Sequence, residues 1–154
     1  MKYLLVVDVQ KEFVKDRQGQ KIYDKCLSYI ASAHDNGYNA VIAAVYKADG
    51  EFVNMKRLVK WDDMHRIENL DFIPDQMCMH SGYSISDYPY VTHLDQIDII
   101  GFDTDACVLS ACFHVFDMGC NMRILTDLMW SSGGKKMHEA AIAIMERQFG
   151  KAVV

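Results

Sequence analysis

The sequence lacks the features that mark membrane, secreted and nucleic-acid-binding proteins. No stretch approaches the roughly 20 consecutive apolar residues of a transmembrane helix. The first apolar run is cut short by Asp8, whereas a signal peptide needs a longer apolar region and a cleavage site of small residues. Lysine and arginine form no cluster, and the net charge of -5 disfavours nucleic acid and anionic membranes as partners. We therefore expect a cytoplasmic protein whose partners are small molecules or other proteins.

Cysteine is present, but its pattern argues against a disulfide framework. Five cysteines are an odd number, and their spacings are irregular. In a reducing compartment all five should be free thiols. They are Cys26, Cys78, Cys107, Cys112 and Cys120.

The 154 residues predict a single domain, 1–154, that is large enough to bury its own core. Apolar runs typical of strands buried on both faces alternate with segments of helical periodicity. The predicted strands are 2–9, 39–46, a short one near 77–80, 97–102, 121–126 and an edge strand at 151–154; the predicted helices are 20–36, a short one at 53–60, 106–118 and 135–149. Such alternation predicts an α/β protein with a parallel sheet and helices on both faces.

Sheets of this kind bind ligands beyond the carboxyl ends of their strands, where the winding direction reverses. Two of the predicted strands end on reactive groups: Asp8 closes the first strand, and Cys107 follows the strand at 97–102 as the chain enters a helix. If these two strands are neighbours at the reversal point, Asp8 and Cys107 face each other across one crevice. Their adjacency is an inference that spacing alone does not prove.

The position of Cys107 at a helix start favours a nucleophile. The helix macrodipole stabilises a thiolate there, and free backbone N–H groups can hold an oxyanion. A nearby aspartate could accept the thiol proton and return it to a leaving amine. In the alternative interpretation, Cys107 is a small buried apolar residue at a helix start.

Sequence blocks along the whole chain carry a family resemblance. They are Val6-Val7-Asp8-Val9-Gln10 with Phe13, Gly101…Thr104…Cys107-Val108, Phe116-Asp117-Met118-Gly119, Asp127-Leu128, Ser131-Ser132-Gly133-Gly134 and His138-Glu139-Ala140-Ala141. With these blocks in this order, the chain resembles the isochorismatase-like cysteine hydrolases. The resemblance implies a three-layer α/β/α fold with a six-stranded parallel sheet, and assembly into dimers or tetramers.

The same resemblance implies an Asp-Lys-Cys catalytic triad. Asp8 would be the base and Cys107 the nucleophile. The backbone N–H groups of Asp103, Thr104 and Cys107 would form the oxyanion hole, next to a cis peptide bond around Phe102-Asp103.

The chain departs from this triad at the lysine. The family's lysine lies three residues before a Tyr-Ser pair, here Tyr83-Ser84, and that position is His80. In one interpretation His80 replaces the lysine, since cysteine, histidine and a carboxylate form nucleophilic triads on other folds. In the other, the triad is broken and the protein is a weak enzyme or a small-molecule binder. Lysines from another segment could also substitute; they are Lys47, Lys56 and Lys60.

No metal or other cofactor is expected. Relatives that hydrolyse nicotinamide carry an Asp-x-His…His cluster after the second strand, but residues 46–52 contain no histidine. The six histidines of the chain show no spacing typical of ligand pairs. The missing cluster argues against a nicotinamidase.

The leading hypothesis is a cysteine hydrolase that cleaves a C–N bond of a small amide through a thioester on Cys107. Phe13, Trp61 and Tyr83 are candidate residues of the substrate pocket. A non-catalytic small-molecule-binding protein on the same scaffold is the alternative, and a redox role for Cys107 is a third hypothesis.

Overall fold

The computed structural model describes residues 1–46, 70–80, 82–85 and 91–154, and the predicted helix at 53–60 lies outside them. The elements are β1 (Lys2–Val7), α1 (Arg17–Ala31), β2 (Ala40–Tyr46), β3 (Gln76–His80), β4 (Gln96–Phe102), α2 (Cys107–Asp117), β5 (Asn121–Trp130) and α3 (Lys135–Phe149). Short 3-10 turns occur at Lys11–Phe13 and Gly150–Ala152. The predicted alternation of strands and helices is confirmed in these ranges.

The strands form one parallel sheet in the order β3-β2-β1-β4-β5. From β1 the chain adds β2 and β3 on one side, and then returns to add β4 and β5 on the other. The winding direction therefore reverses between β1 and β4. The inferred adjacency of these two strands is confirmed, and their carboxyl ends define the crevice where such sheets bind ligands.

The described sheet has five strands, whereas the family resemblance implied six. The predicted edge strand at 151–154 is reduced to a single parallel bridge between Ile124 and Val153. The turn at Gly150–Ala152 occupies the first half of that segment, so only its last two residues reach β5. The edge position is thus filled by a bridge rather than by a regular strand.

The core lies on both faces of the central strands. Every residue of β2, and all but the first residue of β1 and of β4, is buried, as expected for parallel strands covered by helices on both sides. Helix α1 packs on β4 and β5, while α2 and α3 contact each other and the sheet. The largest fully buried side chains are Leu4, Leu5, Phe13, Ile42, Tyr46, Ile99, Ile100, Phe102, Ile124, Met129 and Met145.

Gly101 lets β1 and β4 approach closely at the point where both strands end. Its φ of +131° lies in the region that favours glycine, and a Cβ atom there would lie 1.9 Å from the carbonyl oxygen of Val7. Asp8 is the residue directly after Val7, and its φ is also positive, at 48°. The close approach brings the residue after β1 next to the turn that leads from β4 into α2.

Candidate active site

Three polar side chains from three strand ends meet at this crevice. Asp8 follows β1, His80 ends β3, and Cys107 begins α2 just after β4. One donor or acceptor atom from each of the three lies within 4.8 Å of the others. All three residues are buried, with exposed fractions of 0%, 6% and 1%. The structure thus brings together the residues that the sequence analysis proposed as catalytic.

His80 is held by hydrogen bonds on both ring nitrogens. Nδ1 lies 2.7 Å from the Gly82 carbonyl oxygen, and Nε2 lies 2.7 Å from Asp8 Oδ1. A carbonyl oxygen can only accept, so Nδ1 carries a hydrogen. The second hydrogen bond then needs one more proton, either on Nε2 or on the Asp8 carboxyl. In both cases His80 and Asp8 share one proton and are together electrically neutral.

The surroundings favour the protonated form of His80. Burial by itself would lower the pKa of the imidazole, but the Asp8 carboxylate and its hydrogen bond raise it, as does the Gly82 carbonyl; the net direction is upward. A cation beside Asp8 is the feature that the family's lysine would supply. His80 is also packed edge-on against Tyr46, with ring centroids 5.6 Å apart, which fixes its orientation.

The surroundings of Cys107 favour its neutral thiol over the thiolate. Burial, followed by the nearby Asp8 carboxylate and then Asp103, raises its pKa well above the usual value, although its own backbone N–H acts in the opposite direction. The expectation that the helix start favours a thiolate is therefore wrong for the resting protein. Desolvation and two carboxylates outweigh the helix dipole. An attacking sulfur would have to lose its proton during the reaction itself.

Asp8 keeps acceptor capacity beyond its bond to His80. Its second oxygen, Oδ2, is buried and has no hydrogen-bond partner among the described residues. An unpartnered buried carboxylate oxygen costs free energy, so such atoms often belong to functional sites. Because Asp8 interacts with the Cys107 thiol, this spare capacity can receive the thiol proton.

The backbone around Cys107 differs in one respect from the expected oxyanion hole. The Phe102-Asp103 peptide bond is cis, as the family resemblance implied. The Thr104 N–H, however, donates to the Trp130 carbonyl oxygen at 3.1 Å and is not free for an oxyanion. Its hydroxyl is hydrogen-bonded to His138 Nδ1 at 2.7 Å. The Cys107 N–H makes no backbone hydrogen bond within the described part of the chain.

The Asp103 side chain is a feature that the sequence analysis missed, since only its backbone N–H was considered. Its carboxylate accepts hydrogen bonds from the Ser132 N–H at 2.8 Å and the Ser132 hydroxyl at 2.5 Å. Burial raises the pKa of Asp103 to about 6; the Ser132 hydrogen bonds lower it, while Asp105 and Asp8 raise it further. A second carboxyl group, besides that of Asp8, therefore lies near Cys107.

A cavity of about 500 Å³ lies beside the start of α2. Tyr83 lines it, in agreement with its proposed place in the pocket, whereas Phe13 is fully buried and contacts Tyr46 edge-on. Phe13 therefore supports the aromatic packing behind His80 and does not line this cavity. Trp61 lies outside the described residues. The other lining residues are Asp103, Asp105, Ala106, Leu109, Ser110, Phe113 and Gly133.

Cys26 and Cys112 have surroundings unlike those of Cys107. Burial raises the pKa of Cys26 and of Cys112 to about 12, and no carboxylate contributes to either pKa shift.

No helix in the described part of the chain is both long and apolar enough to span a membrane.

These features define a class: a parallel three-layer α/β/α protein with cysteine, histidine and aspartate at the reversal point of its sheet. Comparison with known proteins narrows this class further. Residues 87–154 match the family model for the isochorismatase domain, and the described fold is shared with solved structures over nearly the whole chain. The C-terminal part of the chain is therefore similar to the isochorismatase domain, in agreement with the resemblance that its motifs indicated.

Several solved structures are similar in fold. Nicotinamidase from Bacillus subtilis is 18% identical, with a TM-score of 0.74 over 99% of this chain and 98% of that one. N-carbamoylsarcosine amidase from Thermoplasma acidophilum is 18% identical, with a TM-score of 0.71 over 99% and 94%. An isochorismatase-like hydrolase from Alkaliphilus metalliredigens is 18% identical, with a TM-score of 0.70 over 95% and 91%. No curated protein sequence matches the chain significantly.

Proposed function

We propose that this protein is a cysteine hydrolase that cleaves the C–N bond of a small amide through a thioester on Cys107. The observation that carries the proposal is the convergence of Asp8, His80 and Cys107, with their polar atoms within 4.8 Å. Two of the similar solved structures are named for amide hydrolysis, a nicotinamidase and an N-carbamoylsarcosine amidase. They support the reaction class but not a particular substrate.

In the proposed first step, the Cys107 sulfur forms a bond to the amide carbonyl carbon while its proton passes to Asp8. Proton transfer is part of this proposed step because burial and the Asp8 carboxylate raise the pKa of the Cys107 thiol. The carbonyl oxygen becomes an oxyanion; we propose the Cys107 N–H, which makes no backbone hydrogen bond among the described residues, as its first donor and the Asp103 N–H as the second. The C–N bond then breaks, and the leaving nitrogen takes the proton from Asp8.

In the second step, water attacks the thioester carbon. Asp8 takes a proton from that water, the C–S bond breaks, and the proton returns to the sulfur as the acid departs. His80 positions Asp8 throughout, since its two hydrogen bonds tie the carboxylate to the Gly82 carbonyl. We propose that it replaces the family's lysine by holding positive charge next to Asp8.

The cavity beside α2 is the proposed place of the substrate. Asp103 and Ala106 connect it to the turn that carries Cys107, and Tyr83 and Phe113 give it an aromatic wall. We expect the substrate to be an uncharged or cationic carboxamide, because Asp103 and Asp105 would repel an anionic one. We also propose that the protein acts in the cytoplasm and assembles into dimers or tetramers.

A panel of small carboxamides, scored by release of ammonia or amine, tests the proposal. We expect at least one of them to be cleaved by the wild-type protein and none by a Cys107→Ala variant. The second candidate function is that of a small-molecule-binding protein whose active site has lost its activity. It gains support if no compound in a broad panel is cleaved but one of them binds in the cavity. The burial and raised pKa of the Cys107 thiol are the observations that favour this alternative.

A further inference from the structure

We propose that Asp8, His80 and Cys107 also form a binding site for Zn²⁺, created by the histidine that stands in place of the family's lysine. A lysine ammonium group has no lone pair to offer a metal, whereas imidazole, thiolate and carboxylate are the ligands that zinc prefers in proteins. Replacing lysine with histidine at this position therefore changes a proton-handling triad into a set of three zinc ligands.

The three side chains already provide suitable atoms. One ligand atom from each lies within 4.8 Å of the others, and this is the one such group found among the described residues. The set contains one nitrogen, one sulfur and one oxygen ligand. Three protein ligands with one open position are the arrangement of catalytic zinc sites.

The hydrogen bond on the far side of His80 supports this assignment. A histidine that binds a metal usually donates its other ring N–H to a carboxylate or a backbone carbonyl, which fixes the tautomer and the ring orientation. Nδ1 of His80 carries its hydrogen and donates it to the Gly82 carbonyl oxygen at 2.7 Å. Nε2 is thereby directed at Asp8, with its lone pair available once the shared proton leaves.

Asp8 supplies an independent observation. Its Oδ2 atom is fully buried and has no hydrogen-bond partner in the part of the chain that the structure describes. Buried polar groups in proteins are nearly always partnered, so an orphan carboxylate oxygen beside a thiol and an imidazole points to a missing cation. A zinc ion bound between the three side chains would satisfy it.

Charge balance in the buried site is also preserved. Zn²⁺ would replace two protons: the Cys107 thiol proton and the proton that His80 and Asp8 share. The net charge of the three residues with their bound ion or protons is then the same before and after binding. Entry is favoured because the neighbouring cavity is lined by the carboxylates of Asp103 and Asp105, which raise the local concentration of cations.

Because the sulfur and the acceptor oxygen of the proposed hydrolase would both ligate the ion, Zn²⁺ would inhibit that activity. This consequence rests on the proposed function, but the binding itself does not. Binding is therefore measured directly, on the full chain after chelator treatment, by titration with Zn²⁺ and by the near-ultraviolet thiolate band of Co²⁺.

We expect one equivalent of Zn²⁺ per chain and a thiolate-to-Co²⁺ band in the wild-type protein. Cys107→Ser, which is nearly isosteric, and His80→Lys, which restores the family's residue, should each weaken Zn²⁺ binding by at least about 10- to 100-fold. Matched controls are Cys120→Ser and His93→Gln, which remove a thiol and an exposed imidazole away from the site and should bind Zn²⁺ as the wild type does.

Absence of stoichiometric binding to the wild-type protein, or equal binding by Cys107→Ser and His80→Lys, would overturn the zinc site and leave the hydrolase proposal intact. Tight, Cys107-dependent binding without cleavage of any amide would support the zinc site and argue against the hydrolase. The two proposals therefore fail in different experiments.

Discussion

Two fully buried aspartates lie near opposite ends of the sheet, and their surroundings differ sharply. Asp98 lies near the start of β4, and both of its carboxylate oxygens have polar partners. It accepts hydrogen bonds from the Tyr38 hydroxyl at 2.5 Å and Gln96 Nε2 at 2.9 Å, and it lies 3.5 Å from Arg123 Nη1. Asp8, beyond the end of β1, shares one proton with His80, and its Oδ2 atom has no hydrogen-bond partner within the described ranges.

Under the proposed function, this difference separates a structural carboxylate, Asp98, from a reactive one, Asp8. A buried charge is tolerated when hydrogen bonds and counter-charges replace its lost hydration, as they do for Asp98. The orphan oxygen of Asp8 leaves part of that cost unmet, and it lies beside a thiol whose proton it can accept. The amino end of the sheet is thus built for stability, and the carboxyl end is left incomplete in a way that permits proton transfer or metal binding.

The largest expected effect is on turnover in Asp8→Asn. An amide cannot accept the Cys107 proton, so we expect the rate of amide cleavage to fall on the order of 10⁴-fold. The free energy of unfolding should change little, because an Asn side chain can still donate to His80 Nε2 while a buried carboxylate is removed. Steady-state kinetics and chemical denaturation measure the two quantities. Loss of activity that merely tracked loss of folded protein would contradict the assignment.

The matched substitution Asp98→Asn should have the opposite profile. It removes the charge that strengthens the bonds from Tyr38 and Gln96, so we expect the free energy of unfolding to fall by about 3 kcal/mol. The half-exposed Arg123 contributes little of this. The turnover number per folded molecule should stay within about twofold of the wild-type value. If Asp98→Asn instead abolished turnover at full stability, the distinction between the two ends of the sheet would fail.

A smaller effect is expected from Asp103→Asn, and it depends on pH. Because burial, despite the Ser132 hydrogen bonds, raises the pKa of Asp103 from 3.8 to about 6, the folded state holds a proton that the unfolded state releases. This carboxyl group therefore makes the wild type less stable as pH rises from about 4 to 6, by at most about 3 kcal/mol. Asp103→Asn should remove that part of the decline. Denaturation curves between pH 4 and 7 measure this change in the free energy of unfolding. If that free energy depended on pH equally in the wild type and in Asp103→Asn, Asp103 would not be held as a protonated acid in the folded state.

The order of strands and helices could be predicted because it depends on local patterns. The apolar runs at β1, β2 and β4 mark strands covered on both faces, and Asp8 and Cys107 stand where those runs end. A reversal point between β1 and β4 then follows from the general behaviour of such sheets. For this reason the meeting of Asp8 with Cys107 was accessible from the sequence.

The partners of individual polar atoms could not be predicted, because they come from distant parts of the chain. Tyr38 reaches Asp98 across 60 residues, and His80 reaches Asp8 across 72. Spacing of histidines along the sequence gave no sign of the proposed zinc site, since its three residues come from three strand ends. The Thr104 N–H was expected in the oxyanion hole, but its capture by the Trp130 carbonyl depends on how β5 ends beside β4.

The most direct test of the central claim is to trap the thioester. A carboxamide that the wild-type protein cleaves is mixed with enzyme, the reaction is quenched in acid, and the intact mass and a peptide map are recorded. We predict that the acyl group of the substrate is attached to the peptide containing Cys107, that it is released by hydroxylamine, and that Asp8→Asn does not form it. Cleavage that persists in Cys107→Ala, or turnover with no acyl group on Cys107, would contradict the account.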